Sequence, residues 1–343
     1  MRVAVIGAGV AGLACATELV ERGVHVEIYE RGDRLGHFGA STLAGGMLAP
    51  FCERESAEPE IIERAAGAIA WWAERVSDVT QRGTLVVAPP RDRVELERFA
   101  ARTRGFRWVD EHAIARLEPD LAGRFRAGLH FESEAHLTPR HALSQLASRL
   151  VGKGAGLRFG VDAIAAPPCA DAVIDCRGFD ARAQLPELRA VRGEMVRVRC
   201  PELSLSRPVR LLHPRTPVYV VPHSDGSLFL GATMVESASM REVSVRAMLE
   251  LLGAAYAVHP ALAEAEILEA KAGVRPAFPS NLPQVRATEN GLSVNGLYRH
   301  GFLLAPSVAR HVAQIVLGGS THAEPTHAAA LGSHLDAESR HAH

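Results

Sequence analysis

The sequence predicts an α/β protein: a discontinuous Rossmann-like nucleotide domain with an inserted α+β domain built on a largely antiparallel sheet. Three observations predict it. A short apolar run, Val3 to Ile6, leads into the glycine turn Gly7 to Gly12 and then a helical stretch, the opening of a βαβ unit. In the middle of the chain Gly193 to Arg199 alternates apolar and polar residues, and Asp225-Gly226 is a hairpin signal between two further strands. Near its end the chain returns to a strand, Leu292 to Asn295, and a helix, Pro306 to Leu317. At 343 residues the chain is long for one hydrophobic core and comfortable for two.

The first helix runs from Val10 to Glu21, with Leu13, Ala16 and Val20 on one side and Gly23 as its stop. Val24 to Tyr29 is the second strand, with Glu30 at its carboxyl end. Ile61, Ala65, Ile69, Trp72 and Val76 follow at helical spacing. Thr84 to Ala88 reads as a strand and Val94 to Arg104 as a helix. Thr138-Pro139 reads as an N-cap and first helical position, with Leu143, Leu146 and Leu150 facing inward. Ala172 to Cys176 is a buried strand, and Gly193 to Arg199 a strand with one wet face. The hairpin strands Val218 to Pro222 and Ser227 to Thr233 pair about a two-residue turn. This sets Tyr219 opposite Ala232 and on the same face as Met234. Met248 to Tyr256 is helical, and Pro306 begins the last helix, which stops at Gly318.

Composition narrows the function. Hydrophobic residues make up 47 % and charged residues 22 %, so a packed core is expected. Lys plus Arg number 38 against 39 Asp plus Glu, a net charge of −1, which provides no basic footprint for nucleic acid or an anionic membrane. Cys15, Cys52, Cys169, Cys176 and Cys200 form no metal-binding spacing, so reduced, mostly buried thiols in a cytoplasmic protein are expected, with no metal. The stretch after Gly319, with His322, His327, His334, His341 and His343, reads as a disordered tail over 320–343.

Gly7-Ala8-Gly9-Val10-Ala11-Gly12 is a dinucleotide fingerprint in its proper setting. Gly7 permits the tight turn, Gly9 lets backbone approach a pyrophosphate, and Gly12 allows close helix–strand packing. The helix amino terminus offers N–H groups to the phosphates. Glu30, 18 residues after Gly12, accepts ribose hydroxyls and repels a 2′-phosphate, which disfavours NADP.

Downstream segments resemble the D-amino-acid oxidase family, most of all the glycine oxidases of thiamine biosynthesis. They are Ser41-Thr42 with Ala44-Gly45-Gly46-Met47-Leu48-Ala49-Pro50, Val191-Arg192-Gly193-Glu194-Met195, Tyr219-Val220-Val221-Pro222 and Gly231-Ala232-Thr233-Met234. Gly273-Val274-Arg275-Pro276 and the run from Tyr298-Arg299-His300-Gly301 to Pro306 complete the set. Ser280-Asn281 stands where the family has Asp-Gly, and Leu297 where it has His.

The resemblance implies noncovalent FAD and oxidation of a small amino acid to its imine, with O2 giving H2O2. The FAD-binding domain then takes 1–80, 139–185 and 287–319, and the substrate domain 81–138 and 186–286. The residues implied for FAD are Gly7, Gly9, Val10, Ala11, Gly12, Glu30, Arg31, Ser41, Thr42, Gly45, Gly46, Met47, Val161, Gly178, Arg275, Arg299, His300, Gly301, Phe302, Leu303 and Leu304. Arg275 and Arg299 stand where the family clamps the carboxylate, Tyr219 where a phenol donates to it, and Met47 and Met234 where side chains limit substrate size. No catalytic base is expected, since hydride transfer needs orientation rather than proton abstraction. Glycine is the leading substrate, with sarcosine or a small D-amino acid as alternatives. A homo-oligomer and a thiazole synthase partner are expected. A quinone-reducing dehydrogenase and a flavoprotein that modifies or binds another protein are the competing readings.

Overall fold

Arg2–Ile6 lies inside a six-stranded sheet because Val3, Ala4, Val5 and Ile6 are apolar and buried on both faces, as a central parallel strand requires. The computed structural model describes residues 1–37, 39–53, 60–166, 168–213 and 216–318. The sheet order is Gln284–Thr288, Gly291–Asn295, Ala172–Asp175, Arg2–Ile6, His25–Glu30 and Gly156–Phe159. Every pairing is parallel except that of the edge strand Gln284–Thr288. The helices Val10–Val20, Pro139–Gly152 and Gly301–Val316 pack on this sheet in one core that includes Leu13, Leu146, Phe302 and Val308.

The second sheet has nine strands, and all its pairings are antiparallel but that of Val209–Leu211 with Thr84–Val87. Its longest members, Arg189–Arg199 and Glu266–Ala277, pair along their whole length. The helix Val245–Val258 covers one face through Leu251, Ala255 and Val258. This is the expected mixed architecture. The edge strand Gln284–Thr288 belongs to the six-stranded sheet, so the expected division at 286/287 cuts a strand, and the chain crosses between sheets before Gln284.

Several element expectations are corrected. The helical spacing from Ile61 to Val76 is two short helices, Glu60–Arg64 and Ala68–Ala73, because Gly67 between them has φ of +75°. The hairpin turns through three residues rather than two. His223 N donates to Ser227 O at 2.9 Å, Gly226 N donates to His223 O at 3.0 Å, and Gly226 has φ of +77°. Tyr219 therefore pairs with Gly231, one residue from the expected Ala232, and the strand ends there, so strand alternation never reaches Met234.

Thr138 stands at the N-cap position, but its side chain caps nothing. Its Oγ1 accepts from Ser224 N at 2.9 Å and pairs with Ser224 Oγ, tying the helix start to the hairpin turn. The last helix begins at Gly301, five residues before Pro306. Proline inside a helix leaves the carbonyl four residues earlier without its amide. Here that carbonyl is Phe302 O, and Trp72 Nε1 donates to it at 2.7 Å. Cys15, Cys52, Cys176 and Cys200 are buried free thiols and Cys169 is exposed. The tail at 320–343, with its histidines, lies outside the described residues.

Candidate active site

A cavity of about 890 Å³ runs from the first glycine turn, past the last helix, to the strands of the nine-stranded sheet. That is large for a small-molecule site, where about 300–1,000 Å³ is usual. At its first end the strand Arg2–Ile6 stops at Gly7, whose φ of +99° a side chain would oppose. A Cβ on Gly12 would fall 1.9 Å from Gly7 O, so the glycine is what lets helix and strand meet. Ser41 Oγ accepts from Val10 N at 3.1 Å, which anchors the segment leading to Met47 beside the helix start. Glu30 is fixed by two backbone donors, Ala8 N at 2.9 Å and Gly32 N at 2.8 Å, with its carboxylate on the cavity wall.

The other end is a cluster of charge on an apolar frame. Tyr219, from the hairpin, donates its hydroxyl to Glu53 Oε1 at 2.7 Å. Arg299 Nη2 donates to Glu53 Oε2 and lies 3.5 Å from the Tyr219 hydroxyl. The Arg210 guanidinium stacks 5.0 Å over the Tyr219 ring and donates to Cys52 O at 2.7 Å. Burial acts to raise the Glu53 pKa. Arg299, His300 and Arg210, with the Tyr219 hydroxyl, outweigh it and hold the carboxyl at about 2.

Arg275 comes from the strand Glu266–Ala277, opposite Val191. Its Nη1 donates to Thr233 O at 3.1 Å, its one hydrogen bond among the described residues. Burial, with Arg299 nearby, lowers its pKa to about 10, so it remains a cation at neutral pH. Gly193 on the neighbouring strand makes room for it, since a Cβ there would lie 2.1 to 2.3 Å from the guanidinium. His300 is buried at the start of the last helix. Burial, with Arg299 and Arg275 against the pull of Glu53, lowers its pKa to about 4. It is a neutral imidazole and a weak base.

Most expected site residues meet on this cavity. Gly7, Gly9, Val10, Ala11, Glu30, Arg31, Ser41, Gly45, Gly46, Met47, Val161 and Gly178 line it, with Tyr219, Met234, Arg275, Arg299, His300, Gly301, Phe302 and Leu303. Three expected residues do not. Gly12 is buried behind the turn, Leu304 is in the core, and Thr42 turns its hydroxyl to Gly36 O and Gly39 O. Sequence reasoning missed Glu53 and Arg210. Arg210 carried a signal, a lone arginine between Val209 and Leu211 in a buried strand. Glu53 carried a weaker one, standing one helical turn beyond Pro50.

A family model described as FAD dependent oxidoreductase matches residues 2–315. The chain is 53 % identical to the inferred thiamine biosynthesis oxidoreductase ThiO of Rhizobium etli, over 92 % of this chain and 97 % of that protein. It is 28 % identical to a glycine oxidase of Geobacillus kaustophilus, over 92 % of each chain. It is 25 % identical to a bifunctional ThiO/ThiG protein of Nostoc, over 92 % of this chain and 52 % of that one. The fold superposes on the crystal structure of glycine oxidase from Geobacillus kaustophilus with a TM-score of 0.78, at 24 % identity and over 94 % and 96 % of the two chains.

Proposed function

The chain belongs to the family of FAD-dependent oxidoreductases, and from that membership we propose that it oxidises glycine, or another small amino acid, to the imine. The observation that carries this reading is Arg275. It is a buried guanidinium whose hydrogen bonding among the described residues is to Thr233 O alone, and it lines with Arg299 and Tyr219 the cavity that begins at the Gly7–Gly12 turn. A planar, permanently charged group suits a ligand with little but its carboxylate to grip. Relatives described as a thiamine biosynthesis oxidoreductase and a glycine oxidase support the same substrate class.

The residues fit the cofactor. The Gly7–Gly12 turn holds a backbone approach that a Cβ would block, and Glu30 stands rigid where a ribose needs an acceptor. FAD, when bound, supplies the electron-pair acceptor, and O2 then takes the electrons to give H2O2. Gly301, Phe302 and Leu303 bring the positive end of a sixteen-residue helix to the cavity, which favours negative charge there. Arg275 grips the substrate carboxylate, Tyr219 and Arg299 flank it, and Met47 and Met234 limit its size. Neither His300 nor Glu53 takes a proton from carbon: His300 is too weak a base, and Glu53 is bound to Arg299 and Tyr219.

The imine hydrolyses in water to glyoxylate and ammonia. A thiazole synthase that consumes it directly is part of the proposal, supported by the ThiO/ThiG protein of Nostoc. Homo-oligomeric assembly belongs to it as well and is read by light scattering. Oxygen consumption by FAD-loaded protein tests the activity, with glycine, sarcosine, D-alanine and D-proline as substrates. Uptake with glycine, half of it returned by catalase, is expected. Uptake with none of them contradicts the reading.

A further inference from the structure

Three of the six methionines, Met47, Met234 and Met240, line the same cavity. Met234 and Met240 are 57 % and 67 % exposed, so they stand where the cavity opens to solvent. They ride on a segment, 232–244, that is fixed rather than loose. The Arg192 guanidinium donates to Ser239 O, Arg241 O and Glu242 O at 2.7 to 2.8 Å. Its partner Glu194 accepts from Ser244 N at 2.9 Å and from the Thr233 hydroxyl at 3.1 Å. Both clamp side chains are buried. The segment therefore presents its thioethers at one place.

Met234 has two further neighbours. Its sulfur lies 3.4 Å from Arg299 Nη1 and 3.5 Å from the Tyr298 hydroxyl. We propose that Met234 is a modification site at which hydrogen peroxide converts the thioether to the sulfoxide, and that the sulfoxide oxygen then occupies the Arg299 Nη1 donor in competition with substrate.

The inference rests on the oxidase reading, which supplies the peroxide where Met234 stands. A sulfur lone pair attacks one peroxide oxygen as the O–O bond breaks. That oxygen's proton passes to the departing hydroxide, and water leaves. Sulfur loses two electrons and the peroxide gains them. Arg299 Nη1, already against the sulfur, donates to the departing oxygen as charge builds on it. The sulfoxide oxygen is a far stronger acceptor than the thioether, and both Arg299 and Tyr298 are placed to donate to it. That donor is then lost to substrate, while Arg299 Nη2 stays on Glu53. The effect is reversible, because methionine sulfoxide is reducible.

The test treats FAD-loaded, substrate-free protein with hydrogen peroxide and maps the oxygen gained by fragmentation of the tryptic stretch 216–241. Met234 is expected to gain one oxygen well before Met195, which is 2 % exposed and serves as the internal control. The apparent KM for glycine is expected to rise about tenfold, the worth of one charge-assisted hydrogen bond. Methionine sulfoxide reductase should reverse both changes. In Met234→Leu, peroxide treatment should leave that variant's own KM where it was.

An unmodified Met234, or a modified one with KM unchanged, overturns the proposal while the oxidase reading stands. Equal loss of affinity in the leucine variant does the same. Oxygen gain at Met234 in a protein that oxidises no small amino acid overturns the oxidase reading, and with it the source of the peroxide.

Discussion

Arg275 reaches its place only because residue 193 has no side chain. A methyl group there would overlap the guanidinium, and the flexible arginine would have to withdraw. Gly193→Ala is therefore expected to lower kcat/KM for glycine about a hundredfold, the effect of an ångström-scale misplacement, with FAD content unchanged. Arg275→Ala should produce a comparable loss, seen mainly in KM, and ordinary KM values in both variants would remove Arg275 from the site. These residues were legible because the Gly-Val-Arg-Pro segment carries a resemblance. Glu53 was not: its meaning comes from Arg299, 246 residues away, and from a hairpin register that a one-residue slip had obscured. Asn281 shows how a departure from the family pattern is absorbed. It stands where the family has glycine and takes φ of 57°, a region asparagine tolerates better than most residues.

Glu53 sits at the end of the helical turn Pro50–Glu53, and that turn is held from outside the cavity. Glu134, fully buried, accepts from Phe51 N at 2.9 Å and Cys52 N at 2.7 Å. Burial raises its pKa from 4.5 to about 8, against the backbone donors of Cys52 and Phe51, so it folds as a neutral acid. Since the folded value lies above the ordinary one, its contribution to stability is full below pH 4.5 and is lost as pH climbs to about 8. Glu134→Gln keeps an acceptor and cannot ionise. The melting temperature of the wild type should fall relative to this variant across that window, and a constant difference would contradict the assignment.

The last helix gives a second expectation at the scale of the element. Trp72→Phe retains a ring against Phe302 but strands the carbonyl that Pro306 leaves bare, which should cost about 1–3 kcal/mol in chemical denaturation. The sequence placed that proline at the helix start, where its missing N–H is harmless. The helix begins earlier because a distant tryptophan supplies the missing partner, and no local pattern can show that.

Both sheets contribute to the cavity wall, Glu30 from one and Arg275 and Tyr219 from the other. A cofactor gripped from both sides couples their stabilities. Saturating FAD should raise the melting temperature of cofactor-stripped protein, by about 2.7 kcal/mol in stability at one hundred times its Kd. Glu30→Ala should shrink that gain, and an undiminished gain would remove Glu30 from the ribose site. At this scale the sequence was most legible. Buried parallel strands and a glycine turn have local signatures, and so does an antiparallel insert. The membership of Gln284–Thr288 in the first sheet was not legible, because an edge strand's partner is chosen by the whole fold.

The central claim is that the Arg275 end of the cavity presents a small amino acid to FAD. The absorbance spectrum of the FAD-loaded protein under anaerobic conditions, before and after glycine and again after air is admitted, tests it most directly. Bleaching of the flavin band by glycine, with its return and peroxide on re-aeration, is the result expected here. A flavin that stays oxidised with glycine, sarcosine and small D-amino acids alike would contradict it.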